Sequence, residues 1–256
     1  MSENKTTNTN QKMSNEYAKD YYDSYLRDLD TDYKSARWFK TPATKLDFDQ
    51  TTAVLQRALK GVSISSALEV GPGDGVWTDL LIPRTQKLTL LDQSIEMINR
   101  AKERLSSVDK KIEYVNEDFL QYHPDKQHDL LFLIRCFEYF EDKELAAKTM
   151  ADLLNTGGLV VIVTKNPEHA RISEIHDKDL HRGQIKRSDM EELLKKHGFV
   201  IEQILSATWR FKANNVIMRG LFRGLHWLHV KTGGLFVVPF FTKPLTESYI
   251  YVARKK

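Results

Sequence analysis

The residues best suited by type and spacing to do chemistry are a run of glycines and a pair of carboxylates. Residues 67–78 read Ala-Leu-Glu-Val-Gly-Pro-Gly-Asp-Gly-Val-Trp-Thr, with Glu69, Gly71, Gly73 and Gly75 at alternate positions. Asp92 closes the apolar run 88–91. Each run reads as a buried strand; the first ends in a glycine bend and the second in an acid. Glycine permits sharp bends and lets backbone come close to a ligand. In open α/β sheets, ligands sit outside the carboxyl ends of the strands. A bend at one strand end and an acid at the next describe a pocket for a nucleoside, the acid accepting from the ribose hydroxyls. A dinucleotide fingerprint needs a third glycine where Val76 stands. No Gly-Lys-Ser/Thr follows, so a phosphate-cradling loop is excluded. Glu69, two residues before the first glycine, suits a ligand bearing an ammonium better than one bearing phosphates.

Glu69-x-Gly71-x-Gly73-x-Gly75 resembles the S-adenosylmethionine (SAM) motif of the class I methyltransferases, and Asp92 stands where that family keeps its ribose-binding acid. The plainer reading is a tight strand–helix turn in some other α/β protein; the second acid and the later motifs favour the resemblance. It implies that Glu69 and the backbone of Gly71, Gly73 and Gly75 hold the methionine end of SAM, and Asp92 the ribose. Asp118 and Phe119 match by position the acid that accepts from the adenine amino group and the residue that packs on the ring. A simple turn acid is the other reading of Asp118. Gln93 and Arg135 complete the expected cofactor-binding set. Arg135 is also suited to orient an anionic substrate, or to pair with Glu138. Residues 135–140 lack the Asn/Asp/Ser-Pro-Pro-aromatic box of nucleobase and glutamine N-methyltransferases, which argues against N-methylation of DNA bases. Glu138-Tyr139 stand where many small-molecule methyltransferases have Glu-His, which puts a histidine base from this position in doubt. Tyr139 and His181 are the candidate catalytic residues. A neutral imidazole takes up protons near pH 7, although His181 equally reads as an exposed loop histidine. His169, His176 and His181 are spaced by seven and five residues, which do not put them on one helix face, so no metal is expected.

Holding these groups takes strands alternating with helices. Strands are expected over 66–70, 87–91, 112–115, 128–134, 159–164, 199–205 and 247–253. Helices are expected over 47–59, 76–81, 94–105, 141–154 and 188–197. Ser94 is a plausible N-cap, with Ile95, Ile98, Ala101 and Leu105 on one face. Residues 155–158 supply a glycine stop, and Ser188 to Glu191 a capping box. Alternation of this kind means a parallel sheet with right-handed crossovers. The resemblance implies an α/β, doubly wound, seven-stranded and mostly parallel sheet, whose antiparallel last strand lies between the fifth and sixth.

At 256 residues, 41% hydrophobic and 29% charged, the chain suits one globular domain with appendages. The expected parts are a disordered tail (1–15), an N-terminal helical lid (16–60), the SAM-binding core (61–206), a basic amphipathic insertion or substrate cap (207–246) and the last strand (247–256). Tyr17, Tyr21, Tyr22 and Tyr25 give the lid an aromatic face. One cysteine, Cys136, precludes an internal disulfide and fits a reducing, cytoplasmic setting. The polar start shows no secretory signal. A net charge of +3 does not call for nucleic acid, but residues 207–256 hold nine Lys/Arg and one acid. Ile217, Leu221, Leu225 and Leu228 recur at helical steps, with Arg219, Arg223 and His226 between them. That pattern suits a cap with its apolar face on the core, or a peripheral membrane contact through 216–241. Together these readings give a SAM-dependent methyltransferase acting on oxygen, nitrogen or carbon of a small or lipid-like molecule. An RNA methyltransferase and a non-catalytic SAM-binding partner are the alternatives, with nucleic acid disfavoured.

Overall fold

The computed structural model describes residues 15–27, 29–109, 111–169, 183–209, 215–234 and 245–256. A seven-stranded sheet runs in the order β3-β2-β1-β4-β5-β7-β6. Its strands are β1 (Ile64–Val70), β2 (Thr85–Asp92), β3 (Ile112–Asn116), β4 (His128–Ile134), β5 (Leu154–Lys165), β6 (Phe199–Trp209) and β7 (Thr246–Lys255). The first five pair in parallel, and β7 runs antiparallel between β5 and β6. This is the expected fold class. The apolar runs 130–134 and 159–163 are buried on both faces, as a covered parallel sheet requires.

Helices α1 (Asn15–Arg27), α2 (Pro42–Ala58), α3 (Ile95–Arg104), α4 (Lys143–Leu153), α5 (Arg187–Lys196) and α6 (Val216–Thr232) cover the sheet and its edges. Helix α2 starts earlier than expected because Thr41 and Thr44 close a reciprocal cap, with Pro42 just inside it. Ser94 does cap α3, accepting from the Met97 amide. Ile95 is exposed, however, and Met97 fills the buried face in its place with Ile98, Ala101 and Leu105.

Three other local expectations give way. The segment after the glycine bend forms two short 3₁₀ turns, Thr78–Leu80 and Ile82–Arg84, because Pro83 starts the second. Helix α4 ends at Leu153, and Gly157 takes its positive φ inside β5, where the register against β4 shifts. Helix α5 begins at Arg187 with Lys186 as N-cap, and Ser188 donates to Asp189 rather than closing a capping box.

Helix α6 packs through its C-terminal half. His226 stacks on Trp209 at 4.5 Å, His229 is buried, and Gly233 lies against Arg57 and Ala53 of α2. Only Leu225 and Leu228 of the expected leucine face are half-buried. Ile217 is 83% exposed and Leu221 55% exposed. Residues 1–14, most of the expected tail, and the apolar run 235–241 lie outside the described residues.

Candidate active site

A cavity opens at the carboxyl ends of β1, β2 and β4. Its empty space, with the open mouth and the adjoining solvent counted, is about 1160 Å³. Its floor is the glycine bend. The Gly71 amide donates to the Leu91 carbonyl at 2.9 Å, tying β1 to β2. Gly71 has φ +62°, and a Cβ there would lie 2.8 Å from the Cys136 Cβ. Glycine is therefore required twice, by backbone angle and by space.

Asp92 lines one wall beside Gln93 and Ser94. Its Oδ1 accepts from the Ser94 amide at 2.9 Å. Burial raises its pKa to about 6, against the lowering effect of the Ser94 and Gly73 amides. Asp118 and Phe119 follow β3 and also line the cavity. Asp118 does cap a turn, accepting from the Leu120 amide at 3.0 Å, so its turn role and its place at the cavity coexist. Phe119 is buried, with its ring 5.2 Å from Phe140.

Of the residues singled out from the sequence, the cavity lining brings together Gly71, Gly73, Asp92, Gln93, Asp118, Phe119, Arg135 and Tyr139. Glu69 and Gly75 are not among its lining residues. Strand alternation explains Glu69. Leu68 and Val70 point into the cluster under α4, while Ala67 points to the opposite one with Trp77. Glu69 shares the Ala67 side, and its Oε2 accepts from the Thr78 hydroxyl at 2.6 Å. Oε1 has no hydrogen-bond partner, and burial pushes the carboxyl up to about 8. His181 lies outside the described residues.

The far end of the cavity is built by residues that no motif marked. Tyr22 from α1, and Tyr33, Arg37 and Trp38 around the π-helical turn Ser35–Phe39, close one side. Lys165, at the end of β5, joins from another. Aromatic content was the only signal for any of these: Tyr22 through the spacing of residues 17–25, and Trp38 through the Trp38-Phe39 pair that follows. Tyr139 shares a 2.8 Å hydrogen bond with Tyr22. Burial raises the pKa of both phenols above the ordinary value, so near neutral pH both are protonated. Glu138 is buried and accepts from the Thr164 hydroxyl at 3.0 Å. Arg135 donates Nη1 to the Ser248 hydroxyl rather than to Glu138.

Residues 67–158 match the family described as methyltransferase domain. That stretch runs from within β1, through the glycine bend and β4, into β5. The strand order is that of the class I methyltransferase fold. Malonyl-[acyl-carrier protein] O-methyltransferase 1 of Ilyobacter polytropus is 30% identical over 138 residues, 51% of each chain. Nodulation protein S of Rhizobium tropici is 31% identical over 101 residues, 38% of this chain and 42% of its own. The chain thus spans about half the length of the curated relatives it matches. In fold, the chain is similar to N-methyltransferase NodS from Bradyrhizobium japonicum in complex with S-adenosyl-L-homocysteine (SAH). That structure has a TM-score of 0.61 at 17% identity, over 92% of this chain and 97% of that one. Magnesium protoporphyrin IX methyltransferase from Synechocystis, with bound SAH, gives 0.63 at 14%, over 94% and 99%.

Proposed function

We propose that this chain is a SAM-dependent methyltransferase whose acceptor is a small or lipid-like molecule. The observation that carries the reading is the convergence of the Gly71–Gly73 bend, Asp92 and Phe119 on one cavity at the sheet's carboxyl edge. Gly71 and Gly73 would hold the methionine end of SAM, Asp92 and Gln93 the ribose, and Asp118 and Phe119 the adenine. The bound cofactor supplies a methyl group already activated on a sulfonium. What remains for the protein is to hold an acceptor in line, and positioning of that kind is worth about 7–11 kcal/mol. Tyr22 and Tyr139 are suited to this as hydrogen-bonding groups, and α1 with the 35–39 turn serves as the lid. The O- and N-methyltransferase relatives and the SAH-bound structures support the reading. Calorimetry with SAH tests it: micromolar binding at one site is expected, and no heat at millimolar SAH would reject it. SAH binding without SAH production from SAM across a broad set of acceptors would favour the non-catalytic partner role.

A second contact is favoured by α6, and with it a cytoplasmic place at a membrane surface. Val216, Ile217, Leu221 and Trp227 are 78%, 83%, 55% and 63% exposed. Arg219, Arg223 and Lys231 share the helix, which has no acidic residue. An apolar face edged with cations suits the headgroup region of an anionic bilayer. No helix of the described residues is long and apolar enough to cross one. Flotation with phosphatidylglycerol vesicles is expected, and phosphatidylcholine alone should fail. At about 1 kcal/mol per basic residue, R219E with R223E should cut partitioning by at least tenfold. Equal flotation of the double variant would remove α6 from the contact. Salt-sensitive RNA binding through the same arginines would instead revive the RNA reading.

A further inference from the structure

We propose that the acceptor carries a carboxylate, seated on the guanidinium of Arg135 at the cavity end away from Asp118. This rests on the methyltransferase reading and narrows its substrate class. The first observation is the state of the guanidinium. Nη1 donates to Ser248, while Nε and Nη2 are buried without a hydrogen-bond partner. Those two nitrogens form one edge of the guanidinium, the fork that grips both oxygens of a carboxylate at once. A cation shielded from water with its fork unfilled is costly, so native structures rarely leave one.

The second observation is the backbone. Arg135 is the only residue other than glycine with positive φ among the described residues, at φ +61°. Side chains resist that region, and such strain gathers where a structure must aim a group. Here the β4 strand ends as the Arg135 amide donates to Val163 at 2.8 Å, and the residue turns to line the cavity.

The third is the charge around it. Arg37 and Lys165 line the same end of the cavity, with Glu138 as the acid there. Lys165 is already paired with Glu247 at 2.6 Å. Arg37 lies 4.6 Å over the Trp38 ring. The other acids in electrostatic reach of Arg135, Asp47 and Glu247, are not among the lining residues. This end of the wall therefore carries three cationic side chains against the one carboxylate of Glu138, while Asp47 and Glu247 lie outside the lining. Tyr22, Tyr33 and Trp38 give this end an aromatic body. An apolar molecule ending in a carboxylate matches both parts.

The test uses the full chain saturated with SAH and titrated with octanoate, octanamide and octyl phosphate. Octanoate is expected to bind at least tenfold more tightly than its neutral amide, and more tightly than the phosphate. R135Q should bring octanoate down to the amide's affinity, and R135K, which keeps charge without the fork, should fall between. Equal binding of octanoate and octanamide by the unaltered protein overturns the proposal, and needs no variant to fold. So does octanoate binding unchanged by R135Q. Preference for octyl phosphate would assign the site to a phosphate and overturn the carboxylate. SAH failing to bind at the first titration would fell the cofactor reading itself; octanoate failing on SAH-loaded protein fells this inference alone.

Discussion

Asp92→Ala is expected to weaken SAH binding about 100-fold. A carboxylate accepting from both ribose hydroxyls makes two charge-assisted hydrogen bonds, each worth about 1.5–3 kcal/mol. Taking the lower figure for both gives about 3 kcal/mol, and each 1.4 kcal/mol is tenfold. The variant also frees the Ser94 amide, which donates to Asp92 at 2.9 Å, so the turn that shapes this wall loosens too. Asp92→Asn keeps the shape but turns one acceptor into a donor, and should lose about tenfold. The titration of this group supplies a signature that a merely structural role would lack. With its pKa near 6 in the ligand-free protein, affinity should be level above about pH 7 and fall below pH 6, by up to tenfold per unit. Folding stability moves the other way. A carboxyl whose folded pKa exceeds its unfolded one takes up its proton more readily in the fold. The ligand-free protein therefore gains stability as pH falls from about 6 towards the ordinary value of 3.8. Glu69 contributes with the same sign over a wider window, from about 8 down to 4.5. Calorimetry across pH 5–8 checks both trends. An Asp92→Ala protein with native affinity, or with the native pH profile, would take Asp92 out of the site.

The parts of this protein legible in its sequence are those fixed by short stretches. The apolar run of β4 could only be a doubly covered strand, and Gly71 and Gly73 announce a bend wherever the rest of the chain goes. Asp92 is legible for the same reason, because it ends a strand whose length and burial are local properties. The antiparallel place of β7 came from the family resemblance, since nothing in residues 246–255 says which neighbours they join. Helix ends proved harder. Gly157 looks like a helix stop, yet the chain is already extended at Leu154, and the glycine serves a register shift in β5. Two uses of the same left-handed angle cannot be told apart before the strand partner is known. The second end of the cavity was illegible for a related reason. Arg37 and Lys165 lie far apart in the chain, and each is unremarkable among its own neighbours. Their meeting depends on how α1 and the 35–39 turn fold across the sheet. Glu69 is a different case: the motif marked it, and the alternation of β1 turns its side chain to Thr78, outside the cavity lining.

Gly71→Ala is expected to lower the melting temperature by roughly 6–12 °C and to abolish measurable SAH binding. Two costs combine. Holding alanine in the left-handed region costs about 1–2 kcal/mol. The new Cβ would also stand 2.8 Å from the Cys136 Cβ and 3.3 Å from its Sγ, where carbon atoms prefer about 3.5–4.0 Å. Neither Cβ can rotate away, because each is fixed by its own backbone at the ends of β1 and β4. Overpacking of this kind costs about 1–3 kcal/mol. A total near 3 kcal/mol, at about 2–4 °C per kcal/mol for a chain of this size, gives the expected shift. If the strands part to relieve the contact, the bend moves away from Leu91 and the cavity floor is lost with it. Gly73 supplies the comparison. Its φ of +59° imposes the same angular cost, but nothing stands closer to its missing Cβ than Tyr33 at 3.5 Å. Gly73→Ala should therefore lose only about half as much stability. Cys136→Gly in the Gly71→Ala background removes the clash and leaves the angle, so about half of the lost stability should return. Cys136→Ala keeps the offending carbon and should return little. Equal melting temperatures for the two glycine variants, or no rescue by Cys136→Gly, would show that the strand ends are not pressed together as the 2.8 Å contact requires.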